Sequence, residues 1–590
     1  MELDWILLPR PQRIARADGV QRAAVARMTP AVAIDPAAVA TPEGYRLLLA
    51  PERTEIVAHD RAGAFYGTQT LAQIRRQVGP AGEIQCAVIE DWPDFRHRGF
   101  MLDVSRCRVP KMVTLLVLVD RLAEWKVNEL QLYTEHTFAY VDHQEVWADA
   151  SPFIPGELEW LDHYCSERMI ELVPNQNSFG HLERWLRLPR YRPLAEAPEG
   201  FVDPWGEFRP GPFSLCPIDP AAIEFLRGLY DELLPNFASR RFNVGCDETF
   251  DLGQGRSRAA CAERGKGRVY LDFLRAVERE VARRGRTMLF WGDVILHHPE
   301  LIPELPAGIV ALDWGYEADH PFADEAARFA AAGVPFYVCP GTSSWNAIAG
   351  RTANARANLA RAAAAGLAHG AVGYLVTDWG DNGHWQSAAV SMLGVAYGAA
   401  MAWAGDANRD LDLPPALDLH AFHDPARVLG RVAEGLGNVY QAGLPLVRNA
   451  SVLAELLIHP ARGINERSFA GLTTGGLEEA RAAIDAAVAR LPLARPAAAA
   501  GMRFAAEEFR LAAALLRHAT ALGAARLEAA RAGAPQGEIA AIDAATRRTL
   551  AAELEPLVAE YRRLWLASSR EGGLAESAGR IEQLLERYCK

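Results

Sequence analysis

Residues 241–251, RFNVGCDETFD, decide the fold. A short apolar run breaks at Gly245 and then presents Asp247 and Glu248 side by side. On a regular strand, neighbouring side chains point to opposite faces. Two adjacent carboxyls therefore serve one site only where a strand ends and the backbone turns. That reading asks for a strand whose C-terminal end faces a cleft.

Similar runs recur between residues 95 and 405: GFMLDVS (99–105), VNELQLYT (127–134), ELVPNQN (171–177), FNVGCDE (242–248), TMLFWGD (287–293), IVALDWGY (309–316), FYVCPG (336–341) and AVGYLVTDWG (371–380). Amphipathic stretches such as VTLLVLVDRLAEWK and RVYLDFLRAVEREVARR separate them, which is the signal of repeated strand and helix units. Their number and span predict a (β/α)8 TIM barrel. A doubly wound open sheet is the alternative. Most runs end in polar or aromatic residues, among them Asp103, Arg106, Glu135, Asn177, Asp293, Tyr316 and Asp381. In a barrel all these ends converge on one face, where the loops build the site.

Outside the barrel, GYRLLLAP and TEIVAHD read as paired strands with RAGAFYGTQTLAQIRRQV as a helix upon them, a small α+β domain over 1–92. The barrel is expected over 93–405. Ala, Leu, Arg and Glu at helical spacing dominate 406–590, expected to form a helical domain that serves as a homodimer surface or as a layer covering the barrel. The 590 residues exceed what one core usually holds. A net charge of −12 and the lack of a basic stripe argue against nucleic acid. No stretch reads as a secretory signal or a membrane span, so the expected location is cytoplasmic, with no membrane partner. Eight scattered cysteines without a CxxC pair fit reduced thiols rather than disulfides or zinc.

A paired acid at a barrel mouth suits glycosidic bond cleavage; a helix cap or a metal-ligand pair reads the same dipeptide differently. Trp291, Trp314, Trp345, Trp379 and Trp385 fall at or just after the later strands. A sugar ring has apolar faces and a polar rim, so indole walls edged by carboxylates and arginines suit it.

The segments AGAFYGTQTLAQI (62–74), DWPDFRHRGFMLDVSR (91–106), NSFGH (177–181), FNVGCDET (242–249) and TDWGDNGHWQ (377–386) together resemble the β-N-acetylhexosaminidases of glycoside hydrolase family 20, nearest to the bacterial exo-β-N-acetylglucosaminidase subgroup. The resemblance implies that the substrate's own 2-acetamido carbonyl is the nucleophile, forming an oxazolinium with retention. It implies Glu248 as general acid and base, Asp247 as the group orienting the acetamido, and His181 as support for both. Arg98 would grip sugar hydroxyls, Asp381 would stand where the family has a glutamate reaching the 4- and 6-hydroxyls, and Trp291, Trp314 and Trp379 would wall the pocket. Tyr337 is one candidate among several for the acetamido carbonyl. Trp345 and Glu135 join the expected binding residues, Glu135-His136 replacing a common Asp-Asp. Cys246 replaces a usual glycine and is expected to narrow the space beside the pair, and Cys107 stands where a histidine is common. Small oligosaccharides with terminal N-acetylhexosamine are the expected substrates, with no metal or other cofactor. A retaining glycosidase with a protein nucleophile and a sugar-binding protein without turnover are the alternatives.

Overall fold

The computed structural model describes residues 5–78, 82–495 and 503–590. Its N-terminal region carries five strands rather than two: β1 (Arg13–Gln21), β2 (Ala31–Ile34), β3 (Tyr45–Ala50), β4 (Arg53–Ala58) and β5 (Ile84–Asp91), in the order β1-β5-β3-β4-β2. On β3 and β4 burial alternates, so Tyr45, Leu47, Leu49, Ile56 and Ala58 share one covered face. Helix Arg61–Gln77 covers it with Tyr66, Leu71 and Ile74. Asp60 caps that helix by accepting from the Gly63 amide at 2.9 Å.

The barrel comprises β6 (His97–Asp103), β7 (Glu129–Tyr133), β8 (Glu171–Val173), β9 (Arg241–Asn243), β10 (Thr287–Trp291), β11 (Val310–Trp314), β12 (Phe336–Cys339) and β13 (Gly373–Asp378). All pair in parallel, in the order β9-β10-β11-β12-β13-β6-β7-β8, and the bridge between Asn175 and Asn243 joins the two ends. That closure rules out the open sheet. Met101, Tyr133, Leu289, Trp291, Leu312, Tyr337 and Leu375 fill the interior, while alternate residues such as Phe100, Phe242 and Phe290 face the surrounding helices.

The five-stranded sheet sits at the end of the barrel where the strands begin. Buried Asp91, the last residue of β5, accepts from Lys126 Nζ at 2.6 Å, Tyr45 Oη at 2.6 Å and Trp403 Nε1 at 2.8 Å. Lys126 lies just before β7, so this cluster ties the domain to the face opposite the strand ends.

Helices Thr474–Val488, Ala505–Arg531, Ala544–Ser568 and Leu574–Cys589 dominate the C-terminal region, which packs on the barrel. Ser577 donates from its hydroxyl to the Gly383 carbonyl, and Trp385 Nε1 donates to the Ser577 carbonyl at 3.3 Å. Trp385 is thus a packing residue beneath this region. The last barrel helix, Ala388–Asn408, continues past residue 405 with a break in its helical geometry at Ala404. By length and composition this helix could cross a membrane, although Ser391 interrupts its apolar run. Its most apolar window, however, is 94% buried inside the protein, between the barrel and the C-terminal helices.

Candidate active site

At the strand-end face a cavity of about 580 Å³ opens over the barrel, and Asp247 and Glu248 line it. The chain leaves β9 at Asn243, earlier than the sequence suggests, and turns through left-handed conformations at Gly245 (φ 68°), Cys246 (φ 68°) and Glu248 (φ 49°). This turn brings the adjacent carboxyls to one site. Gly245 is required there, since a Cβ would fall 1.7 Å from Asn177 Oδ1. Both carboxylates converge on His181 Nε2, at 3.4 Å from Asp247 Oδ2 and 3.3 Å from Glu248 Oε2. Burial disfavours a charged imidazole, yet the charge of Asp247 and the close approach of both carboxyls outweigh it and hold His181 well above its ordinary pKa. The three are close enough to share a cation. Among the described residues one other group of this kind occurs, Asp313, His320 and Glu325.

Asp293, just after β10, accepts from the Glu248 amide at 3.0 Å. Burial, then the charge of Asp247, push its carboxyl up to about 8. An unfolded aspartate releases its proton near pH 4, so between about 4 and 8 the folded chain binds the extra proton. This contribution to stability is complete below about pH 4 and is lost as pH rises towards 8. Asp293→Asn removes that loss: the drop in urea midpoint between pH 5 and pH 8 shrinks relative to the parent. An unchanged drop would mean that Asp293 is ionised in the fold.

Arg106 enters the cavity from beyond β6, and its side chain is clamped on several sides. Its Nη1 donates to Asp103 Oδ2 at 2.9 Å, its Nε lies 3.3 Å from Glu135 Oε1, and its guanidinium sits 4.8 Å from the Tyr133 ring and 5.0 Å from that of Trp379. Asp103 also accepts from the Gly380 amide at 2.9 Å, which couples this arginine to the loop bearing Asp381. Trp314, Trp345 and Trp379 line the cavity with Tyr316. Trp379 Nε1 donates to Tyr316 Oη at 2.7 Å, and the Thr377 hydroxyl also bonds to that oxygen. Asp381 also borders the space; burial raises its carboxyl above the usual range against the opposing charge of Arg106.

Several expected positions are different in the structure. Arg98 opens β6 at the opposite end of the barrel, 1% exposed, bonded to Glu43 Oε2 at 2.5 Å and to the Lys126 carbonyl at 2.8 Å. It joins the two domains and does not reach the cavity. The physical reason is strand polarity: residues at the two ends of a parallel strand lie on opposite faces of the barrel. Arg106, three residues beyond the same strand, takes the place expected for Arg98, and its position among the polar strand ends was the available signal.

Tyr337 lies low in the barrel, its hydroxyl donating to Glu129 Oε2 at 3.1 Å and its ring stacked on His97 at 5.6 Å; Tyr316 is the tyrosine at the cavity. Glu135 stands behind Arg106, accepting from Tyr133 Oη at 2.9 Å, with burial pushing it up to about 7 against the charge of Arg106. Trp291 is fully buried beneath Trp379, ring centroids 5.8 Å apart. Cys246 points away from the cavity into the packing between strand and helices, its carbonyl accepting from Tyr270 Oη at 2.9 Å. It therefore does not narrow the space beside the pair. Burial, then Glu576, push the Cys107 thiol up to about 12, on the side facing helix Leu574–Cys589.

The C-terminal region contributes to the wall, which its helical pattern gave no means of foreseeing. Trp345 Nε1 donates to Asn449 Oδ1 at 3.0 Å, and the Asn449 amide donates to Glu317 Oε1 at 2.7 Å. Arg351 holds Glu317 through two bonds of 3.1 and 2.9 Å. Across the mouth, the hairpin of residues 200–202 and 208–210 places Trp205 at the rim, 71% exposed.

Residues 8–92 match the model of glycosyl hydrolase family 20, domain 2, and residues 148–362 that of the glycosyl hydrolase family 20 catalytic domain. A β-hexosaminidase of Akkermansia muciniphila is 26% identical over 292 residues, 44% of this chain and 57% of its own length. A β-hexosaminidase of Porphyromonas gingivalis is matched over 37% of its length, so the chain spans only about half or less of these curated relatives. In fold, the chain superposes on a chitobiase of Flavobacterium johnsoniae over 98% of this chain and 99% of that one, with a TM-score of 0.56 at 16% identity. The two matched regions together exceed half of the chain, and the chain belongs to glycosyl hydrolase family 20.

Proposed function

We propose that this protein is an exo-acting β-N-acetylhexosaminidase that removes terminal N-acetylglucosamine, with N-acetylgalactosamine as a second substrate, from small oligosaccharides by a substrate-assisted, retaining route. The observation that carries this reading is the convergence of Asp247 and Glu248 on one imidazole nitrogen. The two carboxyls stand side by side, whereas a retaining enzyme with its own nucleophile flanks the scissile bond with two carboxyls about 5–5.5 Å apart. In this arrangement Glu248 protonates the leaving oxygen while the acetamido carbonyl attacks the anomeric carbon. Asp247 accepts from the acetamido N–H and stabilises the positive charge that develops there, and the Tyr316 hydroxyl donates to the carbonyl oxygen. Glu248 then takes a proton from the water that opens the oxazolinium. Arg106 and Asp381 meet the ring hydroxyls, and Trp314, Trp345 and Trp379 enclose the apolar faces.

The test is hydrolysis of aryl β-glycosides of N-acetylglucosamine, N-acetylgalactosamine, glucosamine and glucose. Activity is expected on the N-acetylated sugars alone; turnover of the glucoside, or a glycosyl ester trapped on Asp247 or Glu248, would reject the acetamido route. Cytoplasmic residence and homodimerisation belong to the same reading, to be checked by cell fractionation and light scattering. The seven buried, unpaired cysteines are consistent with a reducing compartment.

A further inference from the structure

Asp313 stands on β11 between Leu312 and Trp314, which belong to the barrel interior. Its own side chain therefore faces outward, beneath helix Phe322–Ala331. It is fully buried, and neither carboxylate oxygen receives a hydrogen bond from an N–H or hydroxyl donor; the polar group it meets is the Glu325 carboxyl. Two further ligating groups close around it. Glu325, on that helix, and His320, just before it, bring ligand atoms that all lie within 4.8 Å of one another and of Asp313, with His320 Nε2 at 2.9 Å from Glu325 Oε2. The imidazole is seated against bare backbone at Gly315, where a Cβ would come within 2.2 Å of the ring. The charged neighbour opposing the two carboxyls is Arg328. A buried carboxylate without a partner is costly, and a second carboxyl beside it adds to that cost.

We infer that Asp313, His320 and Glu325 form a binding site for a divalent transition-metal ion, separate from the catalytic residues. One imidazole and two carboxylates are a donor set for Zn²⁺ or a similar ion, and a 2+ charge offsets the two buried negative charges. His320 and Glu325 border the cavity, so water there completes the coordination. The ion would clip β11 to the helix that follows and so fix the intervening loop, which carries Tyr316 and Glu317. Its role is to order this wall, and no bond of the substrate is made or broken on it.

The experiment is calorimetric titration of the chelator-treated full chain with Zn²⁺, paired with thermal melting, for the parent, Asp313→Asn and His320→Gln. The parent is expected to bind one equivalent that both variants fail to bind, and to gain roughly 2 °C or more in Tm at saturating Zn²⁺. Without metal, Asp313→Asn should melt at or above the parent, because the amide removes a buried acid that receives no N–H or hydroxyl donor and crowds the Glu325 carboxyl. Absence of stoichiometric binding by the parent overturns the proposal. So does binding retained in Asp313→Asn together with inhibition of hydrolysis, which would put the ion at His181, Asp247 and Glu248. An Asp313→Asn protein that melts well below the metal-free parent also overturns it, since Asp313 and Glu325 would then be held by a shared proton.

Discussion

Glu248→Gln lowers kcat on an aryl β-N-acetylglucosaminide by roughly 10²–10⁴, the usual worth of a positioned general acid. The loss grows as the leaving group becomes a poorer one, because only a poor leaving group needs its oxygen protonated. Asp247→Asn falls by roughly 10²–10³, the scale of removing one preorganised group from a developing charge. KM should move far less than kcat in both, since these interactions strengthen only as the bond breaks. His181 couples the two variants. Each amide removes a negative charge beside the imidazole that holds its pKa up, so the double variant should lose much less than the product of the single losses. Steady-state kinetics on a series of aryl leaving groups reads all of this, and a Glu248→Gln loss independent of leaving group would sink the assignment of the acid.

The second large effect separates two arginines on one strand. Arg106→Ala should cut kcat/KM by roughly 30-fold to several thousand-fold, because truncating one partner of a buried, hydrogen-bonded charge pair costs about 2–5 kcal/mol. Arg106→Lys should recover little, since an ammonium cannot reproduce a planar fork held by Asp103 and Glu135 between two aromatic rings. Arg98→Ala should instead leave kcat/KM of the folded fraction nearly unchanged while destabilising the chain by about 3–5 kcal/mol, because it strands Glu43 at the junction of the two domains. Active-site titration beside urea unfolding distinguishes the two outcomes, and the milder Arg98→Lys variant serves if Arg98→Ala does not fold. A folded Arg98 variant without turnover would return Arg98 to the site.

How far the site could be read from the chain depended on the range of the interaction that decides each position. The strands were legible because apolar alternation is local, and all eight runs hold a barrel strand. Their lengths were overestimated at FNVGCDE, since the same residues that spell an extended run are bent by the need to seat Gly245 against Asn177. The tryptophans were gathered correctly at the strand ends. Which of them face the cavity was a matter of height in the barrel, and Trp291 and Trp379 differ by one layer of packing.

The sequence by itself determined the barrel, its flanking regions and the adjacent carboxyls, because each is written in short stretches whose periodicity or neighbouring side chains carry the signal, while His181 was reached through the family resemblance of NSFGH. Only the tertiary structure decided that Arg106 rather than Arg98, and Tyr316 rather than Tyr337, meets the cavity, for that depends on which end of a strand opens on the site. It alone brought Asn449 against Trp345 and Asp313 against His320 and Glu325. Contacts of that kind are set by how separate elements pack in three dimensions, and no local pattern in the chain encodes them.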